Sequence, residues 1–177
     1  MNTEYFLASL KSTTLKKVPN EEIRYTAPFE GCFDLITLSQ LTKLNSGAHI
    51  YLGGLSSTRD EDILRIHGIK TILSVTDQPV PHFDGIYYFV FPINDSIDED
   101  LLGILEHTCE AIENGLKLGS VLVHCNFGVS RSASVVIAYK GKLEGKTLDD
   151  TLTEVKSDRS CVSPNAGFLY QLNLFLS

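Results

Sequence analysis

Residues 121–134 read VLVHCNFGVSRSAS, and their inner part sets His124 and Cys125, then Asn126, Phe127, Gly128, Val129 and Ser130, ahead of Arg131 and Ser132. An apolar, β-preferring run delivers the cysteine to a short loop, and an apolar helical run over residues 133–139 carries the chain away. A strand, a tight loop and a helix N-terminus leave backbone N–H groups unpaired at the positive end of a helix dipole, which makes a cradle for an anion. A cysteine in such a place ionises easily: these settings lower a thiol pKa from about 8.5 to roughly 3.5–7.5, and the thiolate is the nucleophile. The gap between Cys125 and Arg131 suits one loop wrapped round a tetrahedral dianion. Amides hold the oxygens while the planar guanidinium binds two of them in a fork that the point charge of lysine cannot copy. Gly128 suits a loop position that needs positive φ or a close backbone approach. The plain alternative is a buried structural cysteine at a strand end. His124, Gly128, Arg131 and Ser132 in fixed order weigh against it.

This H-C-x5-R-S run resembles the signature of the cysteine-dependent protein tyrosine phosphatases, and its surroundings are similar to their small atypical dual-specificity branch, over residues 49–176. The resemblance implies an α/β single domain with a mainly parallel central β-sheet flanked by helices on both faces. It also implies two chemical steps without cofactor or metal: Cys125 attacks phosphorus and forms a phosphocysteine, which water then hydrolyses. The leaving oxygen needs a general acid, and the loop INDSIDED offers Asp95, Asp98, Glu99 and Asp100. Asp95 matches the position where the family places its acid, directly after a strand. Asp98, Glu99 and Asp100 fit better as first-turn charges of the following helix. Ser132 is expected to donate a hydrogen bond to the sulfur, and His124 to orient the loop and help keep the thiol ionised. Arg131 and the loop amides of Asn126, Phe127, Gly128, Val129 and Ser130 would stabilise the equatorial oxygens.

The substrate reading is a phosphorylated protein side chain, because the loop carries no additional lysine or arginine for further phosphates. The chain offers no separate tyrosine-recognition insert like that of larger relatives, so phosphoserine and phosphothreonine are expected beside phosphotyrosine. Phe127 either packs under the loop, which is the expectation, or widens the apolar contact for an aromatic substrate. Other readings stay open: a lipid or RNA phosphatase on the same scaffold, a phosphoresidue-binding module without turnover, and a rhodanese-like sulfur carrier.

The elements that must position these residues alternate. A strand AHIYLGG from Ala48 ends at Gly53 and Gly54, and Thr58 with Glu61 forms a capping-box pattern for a helix through Ile63, Leu64 and Ile66 that stops at Gly68. Residues 70–75 and 85–92 read as strands by their β-branched and aromatic content. A helix is expected over residues 99–118, capped by Ser96 and Glu99, with Leu101, Leu105, Thr108, Cys109, Ile112 and Leu116 on one face. Residues 120–124 form a central strand, apolar without alternation. The helix after Arg131 meets Lys140 and Gly141, where the family usually continues with apolar residues, which leaves open how far it runs in regular form. Thr147 and Asp150 cap the next helix; Ser163 as cap and Pro164 as first residue open the last one, with Asn165 read as structural.

The chain of 177 residues fits one domain, and its 43% hydrophobic and 21% charged content is ordinary for a globular protein. A net charge of −7 disfavours nucleic acid or an acidic membrane as a partner. The sequence holds no apolar run of membrane-spanning length and no secretory signal, so a cytoplasmic or nuclear address is expected. Cys32, Cys109, Cys125 and Cys161 show neither paired nor zinc-site spacing and read as reduced thiols. Cys109 is expected as core filler, and Cys161 as a candidate resolving thiol for an oxidised Cys125. Residues 1–47 form an N-terminal extension, packed on the domain or loose, and 48–177 the catalytic domain. Oligomeric state is not readable from the sequence.

Overall fold

A computed structural model describes residues 33–36 and 47–177. The rest of the N-terminal extension, with Cys32, lies outside the described residues. Five strands form one sheet: β1 (Phe33–Ile36), β2 (Ile50–Gly53), β3 (Ile69–Ser74), β4 (Tyr87–Val90) and β5 (Ser120–His124). Their order is β1-β2-β5-β3-β4, antiparallel only between β1 and β2. The mainly parallel sheet expected from alternating strands and helices is therefore present. β5 lies in its centre, buried at every residue, as its unbroken apolar run requires.

Successive side chains of a strand point to opposite faces, and the core divides accordingly. Ile50, Leu52, Leu73, Val121 and Val123 face the larger core, packed under α2 (Leu102–Leu116), α3 (Arg131–Glu144), α4 (Leu148–Asp158) and α5 (Ala166–Phe175). Tyr51, Ile72 and Leu122 face the other side, where Leu64 of the short α1 (Glu61–Ile66) joins them with Phe83, Ile86 and Tyr88. β1 adds an edge to β2 with Phe33 opposite Gly53 and Ile36 opposite Ile50, so part of the N-terminal extension is woven into the sheet.

Three helix starts differ from expectation. Asp60, not Thr58, caps α1 by accepting from the Ile63 N–H; the Thr58 hydroxyl is spent on the Leu55 carbonyl within a 3₁₀ turn. α2 begins at Leu102 rather than near residue 99. Glu99 reaches back to the Asn94 N–H, whereas Asp100 accepts from Gly103 N–H in the first turn of α2; Asp98, Glu99 and Asp100 all precede the helix rather than lying in its first turn, and of the three Asp100 serves its start. α5 is capped by Asn165, whose side chain accepts from Phe168 N–H; Ser163 donates its N–H to Val129 O instead. Thr147 caps α4 as expected, accepting from Asp150 N–H.

α3 is buried from Arg131 to Gly141 and runs without a break to Glu144. Lys140 pairs there with Glu144 at 3.3 Å and Glu154 at 2.9 Å. Gly141 is small because a Cβ would come within 2.7 Å of Leu176 and 3.1 Å of Thr151. The departure from apolar residues is thus a packed ion cluster beside a close helix contact.

Candidate active site

β5 delivers Cys125 to the loop at residues 126–130, and α3 begins at Arg131. The loop rests on the end of β2. Gly128 has φ of 69°, and a Cβ there would lie 2.6 Å from the Gly53 carbonyl, so only glycine fits. Leu55 N–H donates to Asn126 O at 3.1 Å, and the Thr76 hydroxyl donates to the Asn126 side chain at 2.8 Å. Ser163 N–H holds Val129 O at 2.8 Å, and the buried Arg159 donates to Gly128 O at 3.0 Å and Phe127 O at 3.3 Å. With the outward carbonyls engaged in this way, the amides turn inward.

Cys125 is 2% exposed. Burial pushes its thiol pKa up, but the Ser132 hydroxyl and the N–H groups of Ser132, Phe127 and Gly128 outweigh it, and the net effect is a lowered pKa. The Ser132 hydroxyl lies 3.2 Å and the Gly128 nitrogen 3.3 Å from the sulfur. His124 acts differently. Burial pushes its pKa down to about 4, with the neighbouring Arg131 charge adding to the effect, so at neutral pH it lends the thiolate no positive charge. Its Nδ1 lies 3.3 Å from Cys125 O, an acceptor, and its Nε2 lies 2.6 Å from Ser74 Oγ. The proton therefore sits on Nδ1, and Ser74 donates to Nε2.

Arg131 is 8% exposed and donates from Nη1 to Ile93 O at 3.2 Å. Its Nε is buried with no hydrogen-bond partner, a donor that an anion would satisfy. Asp95 comes to the same place, its Oδ2 3.9 Å from that Nε. Its Oδ1 accepts from the Ser130 hydroxyl at 2.7 Å and from Asn165 Nδ2 at 2.9 Å. The structure thus gathers Cys125, Arg131, Ser132, His124, Asp95 and the loop.

Asp98 and Asp100 are exposed away from these contacts. Phe127 does not pack under the loop: it is 60% exposed. Its backbone lies against Gly54, where a Cβ would sit 3.3–3.5 Å from Phe127 backbone atoms, and its ring points to solvent. Asn165, read as structural, is a site residue as well as a cap. Ser74, Thr76 and Arg159 carried no sequence signal. Cys161 is exposed, and Cys109 is buried with its pKa pushed up to about 12 by that burial. Among the described residues no three His, Cys, Asp or Glu side chains are grouped to hold a metal ion, and no helix is long and apolar enough to cross a membrane.

Residues 50–177 match the family model described as dual specificity phosphatase, catalytic domain. The chain belongs to the dual specificity phosphatase family. Dual specificity protein phosphatase 1 of Arabidopsis thaliana is 38% identical over 125 residues, covering 70% of this chain and 63% of that protein. This family member therefore spans less than two thirds of that relative's length. Human dual specificity protein phosphatase 22 is 37% identical over 127 residues, 71% of this chain and 69% of the relative. The crystal structure of human DUSP28 superposes with a TM-score of 0.69 at 35% identity, covering 72% of this chain and 90% of the other. The fold is thus that of a dual specificity phosphatase catalytic domain.

Proposed function

We propose that this dual specificity phosphatase relative hydrolyses phosphotyrosine, and phosphoserine and phosphothreonine beside it, through a phosphocysteine intermediate. The observation that carries the reading is the thiol of lowered pKa, ringed by inward amides and the Ser132 hydroxyl, beside an Arg131 Nε that lacks a hydrogen-bond partner. A phosphate dianion supplies what that donor lacks. In the first step the Cys125 sulfur forms a bond to phosphorus, the ester P–O bond breaks, and Asp95 gives its proton to the leaving oxygen. In the second, Asp95 takes a proton from water as its oxygen attacks phosphorus, the S–P bond breaks, and inorganic phosphate and thiolate are released. Because Ser130 and Asn165 hold Asp95 Oδ1, Oδ2 is the oxygen that carries the proton. The hydrogen bond from Ser132 eases departure of the sulfur.

The neutral middle of the loop and the net charge of −7 favour a singly phosphorylated protein side chain over an inositol lipid or an RNA end. The expected result is hydrolysis of an aryl phosphate in the presence of chelator, abolished in Cys125→Ser and Arg131→Ala; full activity in Cys125→Ser overturns the reading. Asp95→Asn is expected to slow alkyl phosphates by about a hundredfold or more and aryl phosphates less, with Asp98→Asn flat. A pull-down with Asp95→Ala, scored for phosphoproteins, tests the substrate class.

A further inference from the structure

Arg159 closes α4 and lies 8% exposed. Its guanidinium points in three directions: Nε to Gly128 O at 3.0 Å, Nη2 to Phe127 O at 3.3 Å, and Nη1 to Asp34 Oδ2 at 2.6 Å. The first two contacts matter for direction. In a trans peptide the C=O and the next N–H point opposite ways, so drawing Phe127 O outward turns Gly128 N–H inward, where it lies 3.3 Å from Cys125 Sγ. Drawing Gly128 O outward does the same for the Val129 N–H. The fork that does this carries a buried positive charge, which is costly without a counterion. A carboxylate partner among the described residues is Asp34 on β1, 125 residues away along the chain. That strand pairs with β2, whose glycine end supports the same loop.

We infer that Asp34 is a positioning residue for the phosphate loop, holding Arg159 so that its fork sets the loop amides, and that β1 is by this contact a working part of the site. The inference rests on the phosphatase reading, but it can be measured without turnover. The pH dependence of Cys125 alkylation by iodoacetamide, followed by peptide mass spectrometry, reports on the amides around the sulfur. Asp34→Ala is expected to shift that profile alkaline by about half a unit or more and to lower kcat on an aryl phosphate by roughly tenfold. Asp34→Glu restores both, while thermal unfolding changes little. In an Arg159→Ala background, Asp34→Ala adds nothing further. A wild-type alkylation profile in Asp34→Ala, or full additivity of the two substitutions, overturns the inference. If the wild-type chain fails to hydrolyse aryl phosphate, the phosphatase reading fails and the alkylation profile still decides the coupling.

Discussion

Cys125 and Cys109 are the same residue type in opposite electrical surroundings. Both are buried, and burial alone disfavours a thiolate; Cys109 shows the result, with a pKa of about 12. At Cys125 a hydroxyl and three N–H groups reverse the sign, so hydrogen-bond donors rather than access to water favour the thiolate. His124 gives a measurable consequence. An unfolded histidine gains its proton near pH 6.5, whereas folded His124 resists until about 4. Stability is therefore full above the unfolded value and falls by up to about 1.4 kcal/mol per pH unit as the pH drops between the two. Urea midpoints at about pH 7 and about pH 5 are expected to show that slope in the wild type and a flatter one in His124→Gln; equal slopes would mean His124 is charged in the folded protein. At this scale the sequence was readable where chemistry is contiguous. Cys125, Arg131 and Ser132 stand in one run, and their meeting at one loop could be expected from it. Asn165 reaches Asp95 across 70 residues, and no local pattern announces such a contact.

Among the elements, α3 is the one on which the site depends most, since it starts at Arg131 and is enclosed by α2, α4 and α5. Its far end is held by charge. The side chains of Lys140 and Glu144 are almost wholly buried, with Lys146 at 2.8 Å from Glu144 and Glu154 bridging from α4. Removing one member of a buried pair leaves its partner uncompensated, so Glu144→Ala is expected to cost roughly 3 kcal/mol, read as a lower urea midpoint with unchanged slope. Lys140→Met combined with Glu144→Leu is expected to recover much of that loss. The element pattern itself was legible, because strand and helix periodicities survive packing. The caps were not: Glu99 turns back to the Asn94 N–H, five residues earlier, and the Ser163 backbone is drawn to Val129 O across the fold, so neither opens the helix that its sequence position suggests.

For the whole molecule, the parallel sheet explains how distant segments meet. β5 pairs with β2 and β3, setting His124 beside both Gly53 and Ser74. The loops that leave the ends of β2, β3 and β5 therefore share one edge, as expected of ligand sites in open α/β sheets. The INDS loop joins them from beyond β4, tied to α5 by Gln171, which accepts from Leu102 N–H and donates to Glu99 O. The parallel direction of the strands and the central place of β5 were implied by the alternation of elements and the apolar run, but the order of the other strands, the β1 edge and the docking of α5 on the INDS loop were not.

That docking bears on when the protein becomes reactive. Ser163 N–H reaches Val129 O, Asn165 reaches Asp95, and Gly167 lies so close to Ile97 that a Cβ would fall 2.0 Å from its carbonyl. A nascent chain that already holds Cys125, the proposed nucleophile, thus lacks the contacts that seat Asp95, the proposed acid, until α5 arrives, and non-local contacts of this kind form late. In refolding from urea, collapse of the sheet, followed by tyrosine fluorescence, is expected to precede the return of aryl phosphatase activity, and Gly167→Val to widen that interval. During synthesis, the same delay would keep a half-made phosphatase chemically silent.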